Sequence, residues 1–148
     1  MRLALYQPDI APNTGAMMRL CASLGIGMDI IEPCGFALDD TKLKRAAMDY
    51  IDRLDLMRHR SWDDFVELIG NRRLVLLTTK GAEPYTAFEF RGDDIIMVGR
   101  ESAGVPDDVH ERADARLLIP MKPPLRSLNV ALSAAMVVGE AMRQISPT

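Results

Sequence analysis

Short apolar runs alternate with helical patterns from one end of the chain to the other, and this alternation constrains the fold more than any other feature. Leu3–Tyr6, Met28–Ile31, Leu74–Thr78, Ile95–Val98 and Arg116–Ile119 read as strands. Most are unbroken apolar runs, as expected when helices cover both faces of a parallel sheet. Helices are expected near Gly15–Leu24, Asp40–Met48, Trp62–Ile69, Pro106–Glu111 and Leu128–Gln144. Ser61-Trp-Asp-Asp64 resembles a capping box, Pro106 suits a first helical position, and Ser127 suits the cap of the last helix. Tyr50–Arg60 fits no single element. The fold class is α/β with a parallel sheet, in one domain spanning residues 1–148.

A chain of 148 residues with 48% apolar content can build that domain without staples, since roughly 70% of its unfolded surface is buried at this size. Cys21 and Cys34 form no CxxC and have no Cys/His cluster around them, so neither a disulfide framework nor a metal site is expected. The amino terminus lacks a signal-peptide pattern, which points to the cytoplasm. No apolar run approaches the roughly 18 residues that span a bilayer. With 18 Lys+Arg against 21 Asp+Glu the net charge is −3, which excludes a sequence-independent nucleic-acid coat and leaves local patches for any RNA contact. Lys42, Lys44, Arg45, Arg53, Arg58, His59, Arg60, Arg72 and Arg73 could form one. The interleaved Asp39, Asp40, Asp49, Asp52 and Asp55 fit an ordinary solvated surface equally well.

In an open parallel sheet, ligands sit beyond the carboxyl ends of the strands. Three segments there carry more polar residues than a turn needs. The first, Pro8–Ala22, contains Asn13, Thr14 and Gly15, and either Asn13 or Thr14 suits a helix cap. Arg19 then falls about one and a half turns into the helix. Its neighbours are apolar or small, so its cation must be exposed at one face or bonded within a site. The second segment, Gly99-Arg-Glu101-Ser-Ala-Gly104, follows a strand and matches neither GxGxxG nor GxxxxGK[ST]. Its glycines suit a tight turn or the close approach of a ligand. The third, Ile119–Ala135, leads into a helix rich in small residues, and its Ser127 and Asn129 suit either caps or substrate contacts.

Together these motifs resemble the SpoU branch of the SPOUT superfamily of RNA 2′-O-ribose methyltransferases. Asn13-x-Gly15-x-x-x-Arg19, Gly99-x-Glu101-x-x-Gly104 and Ile119-Pro-Met121 followed by Ser127-Leu-Asn129 stand in the family's order over almost the whole chain. Ile31-Glu-Pro33-x-Gly-Phe36, Arg45-Ala-x-x-Asp49-Tyr50 and Leu77-Thr-Thr-Lys80-Gly81 are similar to the members that act on the anticodon wobble cytidine or uridine of tRNA. Two departures stand out: Arg100 sits inside the second motif, and Lys122-Pro-Pro-Leu125 replaces small polar residues.

The resemblance implies a deep trefoil knot in the carboxyl-terminal half and S-adenosyl-L-methionine as cofactor. It places Leu77, Gly99, Gly104, Ile119, Met121, Ser127 and Leu128 around that cofactor. Arg19 takes the family's catalytic position, with Asn13, Glu101 and Asn129 holding its geometry. A guanidinium is a reluctant base, so charge stabilisation or positioning is the expected role of Arg19. The implied substrate is tRNA, with leucine tRNAs the expected species. The rivals are ribosomal RNA and a non-catalytic RNA-binding or cofactor-sensing role. The chain resembles the catalytic domain alone, so a homodimer is expected, joined through Ser127–Gln144 and Asn13–Leu24.

Overall fold

Successive residues of a strand point to opposite faces, and this chain makes both faces apolar. A computed structural model describes residues 1–39, 41–81 and 83–146. Its strands are β1 (Arg2–Tyr6), β2 (Gly27–Ile31), β3 (Leu56–His59), β4 (Leu74–Leu77), β5 (Glu83–Pro84), β6 (Ile95–Val98) and β7 (Ala115–Leu118). They form one sheet in the order β3-β2-β1-β6-β4-β7-β5, with every neighbouring pair parallel. The helices are α1 (Ala11–Leu24), α2 (Thr41–Ala47), α3 (Trp62–Ile69), α4 (Asp107–Arg112) and α5 (Val130–Ile145).

The period of two divides the core. Leu3, Leu5, Met28, Ile30, Val75, Ile96 and Val98 pack with Met17, Met18 and Cys21 of α1, Leu43 of α2 and Val137 and Val138 of α5. Ala4, Tyr6, Ile31, Leu74, Leu76, Ile95 and Met97 face the other way, onto Phe65 and Ile69 of α3 and Val109 of α4. Gly15 lets α1 approach α2: a Cβ there would collide with the Ala46 Cβ. Inside the sheet, Asp29 is buried but bonded on both oxygens, to Arg2 Nε at 2.7 Å and to His59 Nε2 at 2.8 Å. That satisfies a carboxylate which would otherwise be costly to bury.

All five expected strands are present within one residue at each end. The structure adds β5 and resolves the ambiguous Tyr50–Arg60 into part of a 3₁₀ turn (Met48–Arg53) followed by β3. Several helix starts differ from expectation. α1 begins four residues early, at Ala11, because Pro12 suits the first turn, where its missing N–H would be unpaired anyway. Ile10, not Asn13 or Thr14, is therefore the N-cap residue, and Arg19 lies more than two turns in. Pro106 is the residue before α4, not its first member. The cap of α5 is Asn129, not Ser127. Ser61 does cap α3, its Oγ accepting from the Asp64 N–H at 3.1 Å. The expected helix Asp40–Met48 is observed as α2, with Asp40 lying outside the described residues. Among the described residues, no helix is long and apolar enough to cross a membrane.

Candidate active site

The carboxyl ends of β4, β6 and β7 open into one pocket of about 960 Å³. Leu77 comes from β4, Gly99, Glu101 and Gly104 from the loop after β6, and Ile119 and Met121 from the segment after β7. Ser127, Leu128 and Asn129 supply the wall leading into α5, while Ile10 and Asn13 reach it from the start of α1. Every residue expected at the cofactor or in catalysis thus lines this space, with one exception. Arg19 is exposed on α1, its guanidinium 5.3 Å from the centroid of the Tyr50 ring, and does not line the pocket. Of the two alternatives in the sequence, it is the exposed cation.

The loop after β6 is closed by its own backbone. The Arg100 N–H donates to the Gly104 carbonyl at 3.1 Å, and the Gly104 N–H returns to the Arg100 carbonyl at 2.9 Å. Gly104 has φ +63°, a left-handed conformation that favours glycine, whereas Gly99 has no room: a Cβ would lie 2.9 Å from the Gly104 carbonyl carbon. Arg100, the departure from the family pattern, reinforces the turn, its Nε donating to the Gly104 carbonyl at 3.0 Å. Its guanidinium lies 5.5 Å from the Tyr6 ring centroid.

At the pocket wall two carboxylates meet. The Asp9 N–H donates to Glu101 Oε2 and the Glu101 N–H donates to Asp9 Oδ1, both at 3.1 Å, while the Ser102 hydroxyl donates to Asp9 Oδ2. Burial, then the Asp9 carboxylate, push Glu101 up to about 6. Hydrogen bonding from the Glu101 carboxyl holds Asp9 below the usual carboxylate range, against the opposing effect of burial. The sequence offered Glu101 through its motif but gave no reason to select Asp9, since its partner is 92 residues away. Asn13 is held by a different residue, accepting from Asn129 Nδ2 at 3.1 Å. No hydrogen bond joins Arg19 to Asn13, Glu101 or Asn129 among the described residues.

A parallel sheet whose strand-end loops converge on a single pocket, with Asn, Glu and Asn side chains at its rim, defines an α/β enzyme of the SPOUT type. The chain belongs to the SpoU rRNA Methylase family, whose model matches residues 1–139. A tRNA (cytidine(34)-2′-O)-methyltransferase from Beijerinckia indica is 59% identical, with the match covering 97% of this chain and 91% of that one. The protein of that name from Escherichia coli is 40% identical, covering 98% and 94%. A structure solved in work on the 2-OH methylation of C/U34 on tRNA superposes with a TM-score of 0.93 at 39% identity, covering 97% and 94%. A SpoU methyltransferase from Streptomyces viridochromogenes in complex with AdoMet shares the fold, with a TM-score of 0.90 at 24% identity, covering 97% of this chain and 60% of that one.

Proposed function

We propose that this chain is an S-adenosyl-L-methionine-dependent RNA 2′-O-methyltransferase that acts on the ribose of the anticodon wobble cytidine or uridine of tRNA, leucine tRNAs included. It works as a cytoplasmic homodimer, with residues 1–148 forming one catalytic domain that carries the family's trefoil knot. The observation that carries this reading is the gathering of three separated motifs around one pocket. Relatives of nearly the same length carry the name of that activity.

The pocket fits the cofactor. Its walls are apolar at Leu77, Ile119, Met121 and Leu128, and its volume lies within the range of small-molecule sites. Strand-end backbone near Leu77, Gly99 and Ile119 would hold the cofactor's adenine. When bound, the cofactor supplies a methyl group on a sulfonium sulfur. The chain must place a ribose hydroxyl in line with that methyl and stabilise the charge that develops on its oxygen. Asn13 and Asn129 form the rim over which the ribose enters. Arg19 meets RNA lying across the outer face of α1, where its cation holds phosphate and ribose in register.

Leu132 and Met136 stand four residues apart on α5 and are 58% and 41% exposed, with Leu128, 40% exposed, just before the helix. The spacing puts Leu132 and Met136 on one face of the helix. That face supports dimerisation through α5 and the adjacent α1. Mass spectrometry of tRNA nucleosides from cells with and without the protein tests the function. Loss of 2′-O-methylcytidine or 2′-O-methyluridine at the wobble position is the expected result. Methyl transfer to ribosomal RNA and not to tRNA, measured on both transcripts, would overturn the assignment.

A further inference from the structure

The segment Arg45-Ala-x-x-Asp49-Tyr50 lies outside the pocket, and so does Arg19. The two meet on the outer side of α1, where the Arg19 guanidinium lies 5.3 Å from the centroid of the Tyr50 ring, within the reach of a cation–π contact. We propose that Tyr50 is a positioning residue for methyl transfer: its ring fixes the direction of the Arg19 guanidinium while leaving the cation's charge and N–H donors free for RNA. This rests on the methyltransferase reading and extends it to a side chain that does not line the cofactor pocket.

The backbone sets this meeting. Gly15 allows α1 to close on α2, since a Cβ there would meet the Ala46 Cβ and lie 2.8 Å from the Ala47 nitrogen. Arg19 follows Gly15 by one helical turn and stands over the same side of α1. Past Ala47 the chain tightens into the 3₁₀ turn Met48–Arg53, which carries Tyr50. Ile51 and Leu54 pack against the core and anchor that turn, and the Leu54 N–H donates to the Ile51 carbonyl at 3.3 Å. Tyr50 is therefore half-buried on an anchored turn, whereas Arg19 is exposed. An exposed arginine samples many rotamers, and a ring held against it restricts them.

An aromatic partner does what an acidic one would not. A carboxylate at this place would bond the guanidinium through its N–H groups and cancel its charge. Asp49 and Asp52 are exposed on the same turn, yet neither pairs with Arg19, which makes no ion pair or hydrogen bond among the described residues. A ring face attracts the cation through its quadrupole and occupies none of those donors. Arg19 held in this way keeps its planar fork for a phosphate or ribose oxygen, and it loses less freedom when the RNA arrives. The Tyr50 hydroxyl makes no hydrogen bond among the described residues, so the ring face is the part in use.

The test uses the full-length protein as wild type, Tyr50→Phe, Tyr50→Leu and with pentafluorophenylalanine in place of Tyr50, which keeps the shape of the ring and reverses its quadrupole. Each form is made with and without Arg19→Ala. Proton–nitrogen NMR reads the Arg19 Nε–H, and single-turnover methyl transfer to tRNA reads the rate. The ring current displaces the Arg19 signal in wild type and Tyr50→Phe, and Tyr50→Leu returns it to the position of a free arginine. Tyr50→Leu and the fluorinated ring each lower the rate about five- to tenfold, and Tyr50→Phe restores it to within about twofold of wild type. Cofactor affinity, measured by calorimetry, is retained in all of them, because Tyr50 does not line the pocket. In the Arg19→Ala background the same changes at Tyr50 have no further effect on the rate, since the ring has nothing left to position. An Arg19 signal unmoved by Tyr50→Leu overturns the contact. An equal loss of rate with and without Arg19 overturns the positioning role and makes Tyr50 a part of the local packing. If Tyr50→Leu does not fold, the fluorinated ring decides, since it fills the same space. A wild-type protein that methylates no tRNA overturns the methyltransferase reading instead, and the Arg19 signal still reads the contact.

Discussion

Asn129 donates its side-chain amide to the Asn13 carbonyl oxygen at 3.1 Å, joining residues 116 apart. Its own carbonyl oxygen accepts the N–H groups of Ala131 at 2.9 Å and Leu132 at 3.1 Å. One side chain therefore caps α5 and ties it to the first turn of α1. Both tasks meet at the rim of the pocket, so the start of the last helix and the first motif move together.

The two tasks are separable by substitution. Asn129→Asp keeps the cap acceptor but has no amide to donate, so stability is held while activity falls. Asn129→Ala loses the cap as well and is destabilised by about 1 kcal/mol. Urea unfolding and methyl transfer, measured on both variants, check this. Equal stability loss in the two would show that the tie to Asn13, not the cap, holds the helix.

Gly99 and Gly104 are required for different reasons, and their variants should differ. At Gly99 any Cβ meets the Gly104 backbone, so Gly99→Ala already forces the loop open. At Gly104 there is space, and only its φ of +63° resists a side chain. Gly104→Asn should be milder than Gly104→Val, because asparagine tolerates the left-handed region better than a β-branched residue. Cofactor calorimetry beside thermal melting reads the order expected: Gly104→Asn least affected, Gly104→Val and Gly99→Ala losing cofactor affinity before the fold. Unfolding with no separable binding defect would make the loop a structural turn alone.

Unbroken apolar runs made the central strands legible, because helices on both faces leave no polar side to interrupt the pattern. β3 was hidden for the opposite reason: it forms the sheet edge, with Met57 and Arg58 exposed and His59 buried against Asp29, so neither period is clean. β5 has two residues and no period at all. The pocket was legible wherever a motif marked it. Asp9 was not, because its importance comes from a hydrogen-bonded partner in another loop. The separation of Arg19 from the pocket was also hidden, since it depends on α1 starting at Ala11, which puts Arg19 more than two turns from the start of the helix.

That separation gives Arg19→Ala a specific signature. The side chain is exposed and contacts the Tyr50 ring, so its loss should change stability by no more than about 1 kcal/mol. Cofactor affinity should be unchanged because Arg19 does not line the pocket. Single-turnover methyl transfer should nevertheless fall about a hundredfold or more, as when a charge placed for the transition state is removed. Calorimetry and rapid-quench kinetics test the split. Parallel loss of cofactor binding and rate would place Arg19 in the cofactor site of the working assembly, and full activity would remove it from the mechanism.

RNA binding should be steeply salt-dependent even though the chain carries a net charge of −3. An acidic protein can engage phosphates only through local cations, and each contact with a single strand contributes a slope of about −0.7 in log affinity against log salt. The structure ranks the candidates. Arg45 on α2, Arg60 after β3 and Lys80 after β4 are exposed and carry no ion pair among the described residues. Lys80 also lines a smaller cavity of about 280 Å³ that shares Thr78, Thr79 and Gly104 with the main pocket. Arg58 is different, because Glu32 holds its guanidinium through two hydrogen bonds, at 2.9 and 3.3 Å. Lys80→Glu and Arg45→Glu should each weaken tRNA binding and flatten the slope by about 0.7 or more, with cofactor affinity and the mass of the assembly unchanged. Arg58→Glu, compared with Arg58→Ala, reads chiefly the broken Glu32 pair as a loss of stability. Fluorescence titrations across a salt series measure these slopes. If none of Arg45, Arg58, Arg60, Arg72 and Lys80 moves the slope on reversal, these cations are solvated surface and the RNA docks over Lys122 and Arg126 beside the cofactor loop.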